Sequence, residues 1–169
     1  MLKMKLKISE LDSGFNDKLF EISTINLVDR GTSFKEETIS LNLTLLKKKN
    51  YFALKGVLYA VPEYTCVRCL STNSIQLELP INIIISKSIN KKNIINHMNI
   101  IYYNDKDTYI ECNEIFADLI ALAEPMNPLC KPDCSGLCSI CGIDKNLPCS
   151  CKNETNTINQ WEKLKKLQF

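Results

Sequence analysis

Apolar residues recur at every second position over much of the first 85 residues, the spacing that gathers them on one face of a pleated strand. Leu2, Met4, Leu6 and Ile8 alternate with Lys3, Lys5 and Lys7, and Ile39, Leu41, Leu43 and Leu45 alternate with Ser40, Asn42 and Thr44. The polar run Lys47-Lys48-Lys49-Asn50 then predicts a hairpin turn. Two further strands, from about Tyr51 to Tyr64 and from Ser74 to Ile85, flank Cys66-Val67-Arg68-Cys69; the second alternates through Ile75, Leu77, Leu79, Ile81, Ile83 and Ile85. Pro62 and Pro80 have no amide to donate to a neighbour, so they predict edges or bulges.

The pattern then changes. Ser86 to Ile101 is rich in Ile, Lys and Asn without a clear period and reads as a variable loop holding His97, the sole histidine. A short strand through Thr108 to Glu111 follows. Ile115, Phe116, Leu119, Ile120, Leu122 and Ala123 recur at three- and four-residue spacing, which predicts a helix of about three turns stopped before Pro125. Between Asn156 and Phe169, a second helical face carries Ile158, Trp161, Leu164 and Leu167, with Lys163, Lys165 and Lys166 elsewhere; Trp161 is expected to pack inward with Leu164. No internal repeat is visible. The reading is an α+β chain: an antiparallel sheet with one packed helix over residues 1–129, then a cysteine-rich zinc ribbon with a terminal helix over 130–169.

The 169 residues, 45% apolar and 24% charged, suffice for one globular domain with a small appendage. Charges interrupt every apolar run well before 18 residues, which excludes a membrane-spanning helix. The start is basic, but no apolar core follows before Ser9-Glu10-Leu11-Asp12, so a cytoplasmic, reducing location is expected. Lys, Asn and Ile fill a third of the chain while arginine occurs only as Arg30 and Arg68, the bias of an AT-rich genome. Lysine number is therefore a weak guide to partners. The formal charge is +2, and two Zn²⁺ bound by eight thiolates (−8 and +4) would take it to −2. That balance does not describe a protein whose affinity comes mainly from neutralising phosphates.

Nine cysteines in a reducing compartment point to metal rather than disulfides. Six of them, Cys130, Cys134, Cys138, Cys141, Cys149 and Cys151, fall within 22 residues. Zn²⁺ takes four soft ligands in a tetrahedron, and a C-x2-C turn followed by Gly brings two sulfurs to one edge while backbone amides point at them. Cys138-Ser139-Ile140-Cys141-Gly142 is such a knuckle, and Cys149 and Cys151 complete its set. Cys130 and Cys134 are then two ligands short, as are Cys66 and Cys69; together they make a second site that closes a loop of about 60 residues. Cys112 is left over and reads as a small apolar residue. A redox dithiol would usually open a helix, whereas Cys66 and Cys69 lie between strands, and ferredoxin spacings are absent.

Cys66-Val67-Arg68-Cys69-Leu70, the helix leading into Pro125-Met126-Asn127-Pro128-Leu129-Cys130, the text from Asp133 to Gly142, Asn146 and Cys149-Ser150-Cys151 resemble the YceD family of bacterial and plastid proteins, described as large ribosomal RNA subunit accumulation proteins. The resemblance covers roughly residues 50–169, including the ending from Trp161 to Leu167; residues 1–50 share only strand-rich character. It implies a non-enzymatic factor needed for large-subunit rRNA, acting on that RNA or a precursor particle in the company of ribosomal protein L32. Two sites closed by four protein ligands leave no position for an activated water, and no G-x-S-x-G, P-loop or G-x-G-x-x-G text occurs. Arg68, between two thiolates, is placed either to neutralise the site or to present a fork to phosphate. Lys163, Lys165 and Lys166 are further candidates for RNA or partner contact. A zinc-ribbon adaptor outside the ribosome and a thiol or iron–sulfur redox protein are the alternatives.

Overall fold

The computed structural model describes residues 4–87 and 99–151. Leu2, His97, Trp161, Lys163, Lys165, Lys166 and the terminal helix expected around them lie outside the described residues. In chain order the described elements are β1 (Lys5–Lys7), α1 (Ile8–Leu11), β2 (Phe15–Ser23), a 3-10 turn (Thr24–Asn26), β3 (Ser33–Phe34), β4 (Thr38–Lys47), β5 (Phe52–Ala60), β6 (Pro62–Thr65), β7 (Thr72–Ser74), β8 (Leu77–Lys87), β9 (Ile100–Tyr103), β10 (Tyr109–Glu111) and α2 (Asn113–Ala123). The architecture is α+β with one main helix: a five-stranded sheet of order β2-β4-β5-β8-β9, a three-stranded sheet β3-β6-β7, and the pair β1-β10.

Strand alternation builds the core. Leu41 pairs with Leu58, Leu45 with Leu54, and Leu54 with Ile83, so the apolar positions of β4, β5 and β8 share one face. Phe116 and Ile120 of α2 are fully buried in the same cluster as Leu41, Leu43, Leu54, Leu58, Ile83 and Ile85. Arg30 fastens the helix from outside, with Nε 2.6 Å from Asp118 Oδ1 and Nη2 3.3 Å from Glu114 Oε1. The turn expected at Lys47–Asn50 is closed by the Lys48 amide donating to the Tyr51 carbonyl at 2.9 Å. Pro80 falls in the part of β8 that precedes its pairing with β9, where the missing amide leaves nothing unpaired.

Two expectations need correction. The main sheet is not wholly antiparallel, because β9 runs parallel to β8, pairing Ile84 with Ile100 and Lys87 with Tyr103. Ile100 and Ile101 close the segment read as loop, and Ile100-Ile101-Tyr102-Tyr103 is apolar at every position, so no alternation betrays the strand. The single strand expected from Tyr51 to Tyr64 is two: β5 ends at Ala60, and β6 starts at the buried Pro62 and joins β3 and β7 instead. This change of sheet carries the β6–β7 hairpin, with Cys66 and Cys69 between its strands, away from the main sheet and toward the segment after α2.

Gly56 sits opposite Leu43 on one side and Ile81 on the other. A Cβ there would stand 1.9 Å from the Asn42 carbonyl oxygen, a backbone atom that no side-chain rotation can move aside. Gly56→Ala should therefore destabilise the sheet by about 1–3 kcal/mol, the range for forced overpacking. A lowered urea midpoint with an unchanged slope would show it.

Candidate metal centres

The β6–β7 hairpin and the tail each build the same six-residue turn. In the hairpin, the Cys66 amide donates to the Ser71 carbonyl and the Leu70 amide to the Cys66 carbonyl, both at 2.9 Å. In the tail, the Cys138 amide donates to the Ile143 carbonyl at 2.7 Å and the Gly142 amide to the Cys138 carbonyl at 2.9 Å. The fifth residue takes a left-handed conformation in both, Leu70 at φ 62° and Gly142 at φ 73°. Glycine adopts it freely, whereas a side chain there costs about 1–2 kcal/mol. The turn geometry also aims amides at the first sulfur of each pair: those of Arg68 and Cys69 reach Cys66, and those of Ile140 and Cys141 reach Cys138.

Eight sulfurs fall into two groups of four, Cys66, Cys69, Cys130 and Cys134 in one and Cys138, Cys141, Cys149 and Cys151 in the other; within each group the Sγ atoms all lie within 4.8 Å of one another. Cys66 and Cys134 are 3.8 Å apart and Cys69 and Cys130 3.6 Å, while Cys149 stands 3.5 Å from Cys141 and 3.7 Å from Cys138. A disulfide needs about 2.05 Å. A tetrahedron with zinc–sulfur bonds of about 2.3 Å has sulfur–sulfur edges of about 3.8 Å, so the donor set and its spacing fit that ion. The first group is the deeper: Cys66, Cys69 and Cys134 are buried, whereas Cys141 is exposed and Cys149 and Cys151 are half-buried.

Four like-charged sulfurs cannot all ionise together, and their protons divide unevenly. Burial pushes the Cys66 thiol up, but amides of Cys69, Cys130 and Arg68 outweigh it and bring it down to about 6. Cys138 is drawn to about 6 by the amides of Cys141 and Ile140. Burial and the sulfurs of Cys134, Cys69 and Cys66 lift Cys130 to about 12, and the sulfurs of Cys141 and Cys149 lift Cys151 to about 12. A divalent cation among them would remove the repulsion and ionise the whole set.

A shell of polar groups holds the sulfurs. The Ser71 hydroxyl lies 3.1 Å from Cys69 Sγ and itself accepts from Asn73 Nδ2 at 3.0 Å. Arg68 extends its guanidinium toward neither sulfur nor open water alone: Nη1 donates to the Cys134 carbonyl at 3.0 Å, tying hairpin to tail. The Val67 amide adds a bond to the Pro128 carbonyl at 3.0 Å. Asn146, in the chain between Cys141 and Cys149 of the second group, reaches back to the first: its Nδ2 donates to Cys134 Sγ at 3.4 Å and its Oδ1 accepts from the Ser135 amide at 3.2 Å. That bond is the largest influence lowering the Cys134 thiol. Spacing arithmetic missed this role, although the family resemblance includes Asn146; a local signal is the Asp144-Lys145-Asn146 turn, in which Asp144 Oδ1 accepts from the Asn146 amide at 2.9 Å.

Cys112 lies apart from both groups, fully buried in the main core at the start of α2, and burial pushes its thiol up to about 12. Asn146→Ala should leave the main sheet intact and expose the Ser135 amide. Faster hydrogen exchange at Ser135, with β4 and β5 unaffected, is the expected outcome.

The chain matches the family described as Large ribosomal RNA subunit accumulation protein YceD over residues 54–168. No curated protein and no solved structure matches the chain. The matched span runs from β5 through the hairpin, α2 and both sulfur groups, which is more than half of the molecule, and the chain therefore belongs to the YceD family.

Proposed function

We propose that the protein is a non-enzymatic factor for the accumulation and assembly of large-subunit ribosomal RNA, held in its binding form by two zinc ions. The family match over residues 54–168 carries the ribosomal part of this reading. The zinc part is supported by two four-sulfur sets of tetrahedral spacing, with Cys66, Cys69, Cys130 and Cys134 on one ion and Cys138, Cys141, Cys149 and Cys151 on the other. Residues 1–129 form the body and 130–169 the metal-bound tail. The first ion joins them, because two of its ligands come from each. With four protein ligands each, both ions are structural and activate no water.

The partner is large-subunit rRNA or its precursor particle in the cytoplasm, with ribosomal protein L32 as a neighbour on that particle. Arg68 has one guanidinium edge occupied by the Cys134 carbonyl and an exposed position from which its other donors reach phosphate. Lys163, Lys165 and Lys166 supply further contacts. No described helix is long and apolar enough to cross a membrane.

Depletion should lower large-subunit rRNA relative to small-subunit rRNA. Cys66→Ser with Cys69→Ser should reproduce the loss, and Cys112→Ala should leave the ratio near normal, because that thiol belongs to neither group. An unchanged ratio in cells confirmed to lack the protein would refute the ribosomal reading.

Purified without chelator, the protein should hold two zinc ions per chain by elemental analysis; one at full occupancy contradicts the two-site assignment. Zinc affinity should also rise with pH. Cys66 and Cys138, near 6, are largely ionised at pH 7, whereas Cys130 and Cys151, near 12, still hold protons that metal must displace. Each proton released adds about tenfold in affinity per pH unit. Competition with a chromophoric chelator between pH 6.5 and 7.5 should show at least that gain.

A further inference from the structure

At one end of the main sheet, four lysines line a single cavity. Lys47 at the end of β4, Lys48 and Lys49 in the turn and Lys87 at the end of β8 surround a space of about 230 Å³ with Tyr51, Ser86 and Tyr103. β4, β8 and β9 end here and β5 begins here, so residues 40 positions apart in the chain, such as Lys47 and Lys87, are brought to one rim. Two carboxylates answer them: Asp12 pairs with Lys47 at 2.7 Å and Asp105 with Lys87 at 2.5 Å. Among the described residues the rim therefore keeps two positive charges in excess, carried by Lys48 and Lys49, both exposed.

Both ion pairs are well exposed, and such pairs contribute roughly 0–1 kcal/mol, so a phosphate can take either lysine at little cost. A second observation points into the cavity. Ser86 is 1% exposed, and among the described residues its hydroxyl finds the adjacent Lys87 carbonyl at 3.4 Å, long for an O–H···O bond. A buried hydroxyl with so weak a partner, beside ammonium groups, suits an anionic oxygen. The cysteine-bearing end exposes Val67 and Leu70 of the hairpin and Ile140, Ile143 and Leu147 of the tail, whereas Leu46 and Tyr102 are the exposed apolar residues next to the rim. A protein partner that buries apolar surface has more to grip at the cysteine-bearing end; the lysine rim offers what a phosphodiester backbone needs.

We propose that this lysine-lined end of the sheet is a phosphate-binding surface for RNA, separate from the cysteine-bearing face. The inference rests on the ribosomal-RNA reading above and adds the place of contact. It assigns contacts to the RNA backbone, which position a partner without reading its sequence. The molecule then has two working ends: a rim that holds phosphate through point charges, and a zinc-braced end that carries the apolar side chains.

The test uses the full zinc-loaded chain and a fluorescein-labelled RNA hairpin with a single-stranded flank, followed by anisotropy over a range of salt. Lys48→Glu with Lys49→Glu should weaken binding at least tenfold and flatten the salt dependence by about 1–2 in log–log slope, about 0.7 for each single-strand phosphate lost. Lys48→Arg with Lys49→Arg should bind within about twofold of the unmodified chain, since charge and not shape is used. Lys35→Glu with Lys55→Glu makes the same charge change at exposed positions outside the rim and should have the smaller effect. Equal losses in the two Glu pairs would overturn the proposal while leaving RNA binding, and the reading it rests on, standing. No binding by the unmodified chain would overturn both. Inorganic phosphate displacing the RNA at matched ionic strength, with the Glu pair at the rim abolishing that displacement, would place the phosphate in the cavity; RNA binding that the rim substitutions weaken but phosphate cannot displace would place only the extended backbone there.

Discussion

The meeting of the β6–β7 hairpin tip with the segment after α2 is the contact on which the rest of the structure depends. Cys69 and Cys130 are 61 positions apart in the chain and 3.6 Å apart in space. Everything between them, β7, β8, β9, β10 and α2, is enclosed in the loop they close. A cross-link over about 60 residues removes chain entropy worth about 4 kcal/mol from the unfolded state, on the loop-closure model. Neither partner brings a large apolar surface to the junction: its buried cluster is Cys66, Cys69 and Cys134, with Leu129 and Cys130 alongside. The hydrogen bonds from Arg68 to the Cys134 carbonyl and from Val67 to the Pro128 carbonyl do not replace a core in so small a cluster, and a shared cation among its four sulfurs would supply what is missing.

The two sulfur groups differ in what surrounds them although they share one turn. At the hairpin, Leu70 stands where the tail has Gly142, so that turn accepts left-handed strain in exchange for a side chain. The strain is tolerated because the hairpin turn is fixed from several sides, by Arg68 on Cys134, Val67 on Pro128 and Ser71 on Cys69. Beyond the two bonds internal to each turn, the tail turn is supported among the described residues by the Lys145 amide on the Gly136 carbonyl and the bridge between Leu137 and Asp144, both within the tail itself. Asn146 connects the two, so the outer group leans on the inner one. Loss of the inner group should therefore propagate to the outer, and the reverse much less.

Much of the fold was legible in the alternation. Ile39, Leu41, Leu43 and Leu45 are all buried as their spacing requires, and Ile115 to Ala123 form the helix that covers them. The sulfur grouping was legible too, because the eight cysteines come as four close pairs, Cys66 with Cys69, Cys130 with Cys134, Cys138 with Cys141 and Cys149 with Cys151, which combine into two sets of four in three ways. What stayed hidden has physical causes. β2 is an edge strand whose register shifts between Phe15 and Lys18, so Leu19 turns outward at 65% exposure and breaks the alternation. β9 is paired in parallel and carries no period. The jump from β5 to β6 occurs at Val61, an apolar residue with no turn signal, and only Pro62 hints at it. Asn146 is one of 17 asparagines, and its work depends on where Cys134 lies in space, which no local pattern states.

In the proposed reading the strands place the hairpin, the hairpin meets the tail, and two zinc ions would fix that meeting. The central claim is the pairing of ligands across the junction. Exchange of zinc for cadmium-113, followed by correlation of each cadmium resonance with cysteine β-protons, reads that pairing directly. The account predicts two resonances in the range of four-sulfur sites, one correlated with Cys66, Cys69, Cys130 and Cys134 and the other with Cys138, Cys141, Cys149 and Cys151. A cadmium ion correlated with Cys130 or Cys134 but with neither Cys66 nor Cys69 would contradict it.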